Sequence, residues 1–238
     1  MANRNSKIEE VLKVDENMLI FPLFEDIYIH VTWHTFVEEG GRFPINGIIC
    51  IRNNKALLID TPATNKQTEQ LVGVIKEYLN SDIELFIPTN FKEESMGGFE
   101  YLKSIGVKSL ANTKTKEICE EKGLPVPDDV FDDEYKLTED FDGITCFYPG
   151  KAFTEDNICV YFKEQRILFG SSMVKSSTTT ELKNVDDAFP EMWEESIQNI
   201  ANRFPALQIL IPGRELQGDK SLIKHTKELV EEYLKSSH

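Results

Sequence analysis

Two stretches of short apolar strands, each closing in helices, restrict this chain to an α/β fold in which sheets are covered by helices. In the first stretch Ile27-Tyr28-Ile29-His30-Val31 reads as a strand and Gly40-Gly41 as a break. Gly47 to Arg52 and Ala56 to Ile59 read as two further strands joined by a tight hairpin turn at Asn53-Asn54. Thr64 is placed to cap a helix whose apolar positions are Leu71, Val74, Ile75 and Leu79, and Asn80-Ser81 ends it. A buried strand at Glu84 to Pro88, a helix from Gly97 to Ser104, a strand at Val107 to Ala111 and a helix from Thr115 to Lys122 follow. Gly123-Leu124-Pro125-Val126-Pro127 reads as a connector, because apolar strand residues resume at Phe131 and Tyr135. The second stretch repeats the pattern with strands at Ile144 to Tyr148, Asn157 to Phe162 and Arg166 to Gly170. A helix from Glu191 to Arg203, a strand from Gln208 to Ile211 and a helix from Leu222 to Leu234 close it.

With 238 residues, 40% of them hydrophobic, the chain can bury a sizeable core. The expected organisation is an N-terminal extension, residues 1–25, before a single domain of two similar halves, residues 26–238. Against 41 acidic residues stand 26 basic ones, and the net charge of -15 argues against nucleic acid or an anionic membrane as partner. No apolar run is long enough to span a bilayer, and Met1 to Asn17 lacks a continuous apolar stretch, so a monomer in the cytoplasm is expected. Cys50, Cys119, Cys146 and Cys159 form no Cys-x-x-Cys pair and have no His at metal-ligand spacing; they read as small buried hydrophobes.

Beyond this pattern, a set of landmarks runs from about Asp26 to Leu234. They are Gly41-Arg42-Phe43-Pro44-Ile45-Asn46-Gly47, Leu57-Leu58-Ile59-Asp60-Thr61-Pro62, Pro88-Thr89, Gly97-Gly98, Tyr148-Pro149-Gly150, Asp156-Asn157, Ile167-Leu168-Phe169-Gly170, Val174-Lys175-Ser176 and Ile211-Pro212-Gly213. In order and spacing these resemble the first, di-zinc subclass of metallo-β-lactamases. The resemblance implies an αββα sandwich with an active-site groove along one edge of the sheets. In that family three histidines hold one zinc, an Asp, a Cys and a His hold a second, and a hydroxide between them attacks the lactam carbonyl.

At the six positions that the resemblance assigns to those ligands, this chain has Asn90, Lys92, Glu94, Phe153, Ser172 and Arg214. Zinc takes neutral imidazole, thiolate or carboxylate donors, and only Glu94 is a good ligand type. His30, His34, His225 and His238 match none of the positions. The expectation is therefore a chain without zinc, without the zinc-bound hydroxide, and without family-type hydrolysis: a pseudoenzyme serving as a binding or regulatory module. An enzyme alternative is a hydrolase that uses Glu93, Glu94, a Ser-Lys pair or a different metal site; an interaction scaffold is a further one.

In the emptied pocket, Asp60 and Glu94 are expected to pair with Lys92 and Arg214. Lys175 stands where the family's carboxylate-binding Lys stands, and Asn184 matches the Asn that follows it. With Lys151 they suit a small carboxylate or phosphate ligand. Trp33 and Phe36 flank the Gly40-Gly41 turn, which in the family is a flap over substrate. Ser172-Met173-Val174-Lys175 spells the Ser-x-x-Lys motif of serine β-lactamases, but on extended chain positions three apart face opposite ways, which argues against it.

Overall fold

The computed structural model describes residues 7–36 and 40–236, and its chain divides into two compact units. The first unit comprises residues 1–111 and 123–129. It holds strands β1 (Leu12–Lys13), β2 (Met18–Pro22), β3 (Ile27–Phe36), β4 (Gly41–Arg52), β5 (Lys55–Ile59), β6 (Asp82–Ile87) and the start of β7 (Lys108–Asn112), with helices α1 (Asn65–Leu79), α2 (Glu93–Met96) and α3 (Phe99–Ser104). The strands lie side by side in sequence order. β3 and β4 form a long antiparallel ladder from Ile27 opposite Cys50 to Phe36 opposite Gly41. β4 returns as β5 through Asn53 and Asn54, both at positive φ (51° and 61°), the left-handed pair that a two-residue hairpin turn requires. β5, β6 and β7 are parallel, so helices make the crossovers.

Local chemistry sets the ends of α1 as the sequence suggests. The Thr64 hydroxyl accepts from the Gln67 N–H at 3.2 Å, and Asn80 stops the helix in the left-handed conformation at φ 47°. Leu71, Val74, Ile75 and Leu79 are the buried face. The helix expected over 97–104 is α3, which starts at Phe99; the short α2 precedes it, and Gly97 and Gly98 between them make close approaches, since a Cβ on Gly97 would strike the Ala63 carbonyl and one on Gly98 the Thr68 side chain. Residues 12–22, read from sequence as part of an extension, form β1 and β2. Met18 and Ile20 are fully buried, with Ile20 opposite His30 in the sheet.

The second unit comprises residues 112–122 and 130–238. It contains α4 (Thr113–Lys122), β9 (Glu134–Lys136), β10 (Ile144–Phe147), β11 (Cys159–Phe162), β12 (Ile167–Ser171), α5 (Pro190–Arg203), β13 (Ile209–Pro212) and α6 (Ser221–Ser236); β8 (Asp129–Phe131) begins on the last residue of the first unit. Its sheet runs β13-β12-β11-β10-β9, with β12 and β13 parallel and the rest antiparallel. α5 opens on Pro190, whose missing N–H costs nothing at the first turn. Trp193, Ile197 and Ile200 of α5 join Leu222, Leu229 and Val230 of α6 and Leu168 and Leu210 of the sheet in one buried cluster. All four cysteines are buried thiols. Among the described residues no helix is long and apolar enough to cross a membrane. Two mixed sheets with helices make this an α/β chain, and its class is the αββα sandwich that the resemblance implied.

Candidate functional site

In the first unit, the loop between β6 and α2 carries Asn90 and Lys92, α2 itself carries Glu94, and the segment is built around buried polar groups. Asp60 ends β5 at φ 57°, a left-handed residue that turns its side chain into that loop. Its Oδ1 accepts the Thr89 N–H and its Oδ2 the Thr89 hydroxyl, both at 2.7 Å. Thr89 thus supplies one donor to each of its oxygens. The Thr89 Oγ1 lies 3.2 Å from Ser95 Oγ, which also accepts from Asn90 Nδ2 at 2.9 Å. Asn90 Oδ1 in turn accepts the Lys92 N–H at 3.0 Å. Thr61 reaches the same turn from the other side, its N–H donating to the Ser95 carbonyl at 2.9 Å and its hydroxyl accepting the Gly98 N–H at 3.0 Å. Asp60, Thr61, Thr89, Asn90, Glu94 and Ser95 are all buried. A segment stitched by Asp60, Thr61, Thr89, Asn90 and Ser95 is held in one conformation, since each buried group left unmatched would cost about 1–3 kcal/mol.

Behind that loop lies His30, fully buried, with Nε2 3.0 Å from the Asp60 carbonyl oxygen. Donation from Nε2–H leaves the lone pair on Nδ1, which finds no hydrogen-bond partner among the described residues. Gly47 opposes it across the ladder and must be glycine, because a Cβ there would strike the imidazole. Burial lowers the His30 pKa from 6.5 to about 4. The unfolded chain takes up this proton as pH falls below about 6.5, and the folded chain holds out to about 4. The contribution to stability is therefore full above that window and is lost on acidification through it, by about 3 kcal/mol at most. Urea midpoints between pH 7 and pH 4 should fall more steeply for the wild type than for His30→Phe; parallel slopes would mean that His30 titrates normally.

The expected flap is the β3–β4 hairpin, whose tip, residues 37–39, lies outside the described residues. Trp33 is covered by the Arg42 guanidinium 5.5 Å from its ring centre, and its carbonyl accepts from Gln67 Nε2 at 3.0 Å. Phe36 meets the His34 imidazole edge-on at 4.9 Å. Both aromatics are thus engaged within the hairpin and its neighbours.

Three of the assigned ligand positions fall in the second unit. Phe153 is 2% exposed and part of the apolar cluster, its ring 6.2 Å from that of Trp193. Ser172 lies in the turn after β12, where Val174 N–H donates to the Ser171 carbonyl at 3.1 Å. The chain is thus turned there, not extended as the sequence argument about Ser-x-x-Lys assumed. Gly213, beside Arg214, presses on this turn: a Cβ on it would stand 2.6 Å from the Ser172 nitrogen. The Lys175 ammonium sits 4.8 Å over the Phe153 ring and 5.2 Å over that of Trp193, a cation–π seat. The Lys175 backbone N–H donates to Thr226 Oγ1 at 3.0 Å, which fixes the loop to α6. Lys151, expected beside the ligand, pairs with Glu155 at 2.6 Å and lies 4.7 Å over Phe189. Asn184 is half-buried at φ 55°. Trp193 was invisible as a site residue because, within a helical pattern, it reads as one more buried position.

These donors do not fit the family's zinc pair. Phe153 is packed among apolar side chains and offers no lone pair, and Lys92 and Arg214 add positive charge. No group of three or more His, Cys, Asp or Glu able to hold a metal occurs among the described residues.

No family model matches the chain. It is 34% identical over 229 residues to the metallo-β-lactamase type 2 of Bacteroides fragilis, covering 96% of this chain and 92% of that protein. With the metallo-β-lactamase type 2 of Bacillus sp. (strain 170) it shares 29% identity over 228 residues, 95% of this chain and 88% of that one. The solved metallo-β-lactamase from Pontibacter korlensis superposes with a TM-score of 0.86 at 28% identity, over 90% of this chain and 99% of that one. The fold, with its buried polar loop at the end of β6, is that of a metallo-β-lactamase-like hydrolase. The chain belongs to the metallo-β-lactamase family. This kinship corrects two expectations. An inactive, zinc-free pseudoenzyme has nothing positive behind it, whereas the relatives bear a name that states both a metal and lactam hydrolysis. A metal therefore belongs among the cofactors to be tested, and the misfit above concerns six positions, not the chain's capacity for metal.

Proposed function

We propose that the chain is a hydrolase of the metallo-β-lactamase superfamily that opens a cyclic amide, with groups other than the six family ligand positions carrying the chemistry. The observation that supports this reading most directly is unbroken kinship to named metallo-β-lactamases over 96% of the chain. The buried polar loop at Thr89 to Ser95 adds to it, because a loop with no remaining task could fill with apolar side chains at lower cost. The substrate is a small molecule bearing a carboxylate or phosphate, for which Lys175 and Asn184 are the contacts, and the protein acts on it as a monomer. Nucleic acid is disfavoured by the charge of -15.

Turnover of a chromogenic cephalosporin by the purified chain, measured once with excess zinc and once with chelator, tests the reading. A rate above the protein-free background in either condition is the expected result. Background rates in both, across penicillin, cephalosporin and carbapenem substrates, would overturn it. Loss of the rate in chelator would assign the chemistry to a metal held by other ligands, and its retention to protein side chains.

A further inference from the structure

Three buried polar atoms of the first unit find no hydrogen-bond partner among the described residues: His30 Nδ1, Thr32 Oγ1 and Thr68 Oγ1. All three residues have 0% exposure, and buried polar groups in folded proteins are as a rule matched. They also lie in one layer. His30 and Thr32 are two apart on β3 and so share a face of the sheet. On that face Tyr28 stands opposite Ile49, Ile49 opposite Leu58 and Leu58 opposite Phe86. The Phe86 ring meets that of Phe99 on α3 at 5.1 Å, so this is the face that helices cover. Thr68 enters the layer from α1, which is tied to it at two points. Gln67 Nε2 donates at 3.0 Å to the carbonyl of Trp33, the residue after Thr32. The Thr68 hydroxyl abuts Gly98, where a Cβ would strike it, and the Gly98 N–H donates to Thr61, the neighbour of the Asp60 whose carbonyl His30 Nε2 reaches.

We propose that the layer between α1 and the sheet of the first unit is an internal water site, in which resident water donates to His30 Nδ1 and bridges it to the hydroxyls of Thr32 and Thr68. The donor and acceptor roles select the guest. Nε2–H is engaged by the Asp60 carbonyl, so Nδ1 can only accept, and a guest there must carry a donor. Each threonine hydroxyl has a proton to give, so the guest must accept as well. An anion or a carbonyl has nothing to donate to Nδ1, and a bare cation would carry unpaired charge into the interior. Water has two donors and two acceptors on one small atom, which suits a site with two to four polar partners. The cross-strand neighbours keep the site small: Met18 and Ile45 stand opposite Thr32 and Ile20 opposite His30, all of them buried apolar side chains. Water held there supports the Asp60–Thr61 turn from the sheet side, as Thr89 and Ser95 do from the loop side.

A crystal structure of the full chain, at a resolution that shows ordered water, tests the site directly. Solvent density about 2.7–3.2 Å from at least two of His30 Nδ1, Thr32 Oγ1 and Thr68 Oγ1 is the expected result. Density at fewer than two of them, or a dry layer, would overturn the proposal. Thr32→Val gives an independent reading, because it keeps the shape of the side chain and removes only the hydroxyl. A hydroxyl that binds water is lost at a cost, so the urea midpoint of the variant should fall by about 0.5 M. A hydroxyl without a partner is better replaced by a methyl group, so a midpoint equal to or above that of the wild type would also overturn the proposal. If the valine variant does not fold, the density in the wild-type crystal decides alone.

Discussion

Trp193→Ala should lower the unfolding free energy by about 4 kcal/mol, within the range seen when a large aromatic is removed from a packed interior. Trp193 has no exposed surface, and it sits at the centre of the apolar cluster formed by α5, α6 and the sheet of the second unit. Three separate losses combine. The apolar contacts with Phe153 and its neighbours go, the Met173 carbonyl loses the indole N–H that reaches it at 2.9 Å, and the Lys175 ammonium loses one of its two rings. Trp193→Phe separates these contributions, because it keeps a ring but removes the donor; about 2 kcal/mol is expected. Urea unfolding of both variants beside wild type checks the ordering. Equal costs would mean that the hydrogen bond to Met173 dominates and that packing at this site is loose. The phenylalanine variant should also retain more of any carboxylate affinity, since a ring remains beneath Lys175.

The second large effect is expected at Asp60. Asp60→Ala should cost about 4 kcal/mol, from two hydrogen bonds to a carboxylate at about 1.5–3 kcal/mol each, partly offset because a buried carboxylate is no longer desolvated. To this is added about 1–2 kcal/mol for an alanine forced to φ 57°. Asp60→Asn tolerates that backbone conformation and keeps one acceptor oxygen, so it should cost about half as much. Hydrogen exchange gives the more specific reading: the Thr89 amide, bonded at 2.7 Å to Oδ1, should lose protection in the alanine variant before the β3–β4 ladder does. Simultaneous loss throughout the first unit would show that Asp60 supports the whole unit and not the loop alone.

How far the sequence could be read depended on whether the governing interaction was local. The β4–β5 hairpin and α1 were legible because their signals are neighbours in the chain: two asparagines able to take positive φ, a threonine before the first turn and an asparagine after the last. β1 and β2 were not, since two and five residues among charged neighbours carry too little periodicity, and Met18 and Ile20 become core only through their partners in β3. The short α2 escaped for a related reason, as four residues show no helical period. At the site, chain position alone placed Asn90, Lys92 and Glu94 close together, in the loop before α2 and its first turn. The bonds that organise it come from Asp60, Thr61 and Ser95, residues brought together by the parallel crossover, and no spacing announces them. His34 and Glu93 were each visible as isolated residues, but their pairing joins a strand to a distant helix. Phe153 and Lys175 show the same limit, since the ring that explains both belongs to Trp193 on α5. The inference of inactivity failed differently: it passed from six side chains to a whole protein, and kinship across 96% of the chain weighs more than six positions.

The path of the chain through its two units also bears on synthesis. Residues 112–122 belong to the second unit, yet residues 123–129 return to the first. A ribosome that has released residue 111 has made most of the first unit but not its final piece, so that unit is completed only after α4 has already emerged. α4 must then wait for β10 and β11, where Asp156 in the loop before β11 accepts from its Thr115 hydroxyl at 2.8 Å. Vectorial emergence thus leaves one polar helix unsatisfied for part of translation, and its high content of Lys and Glu suits it to that interval in water.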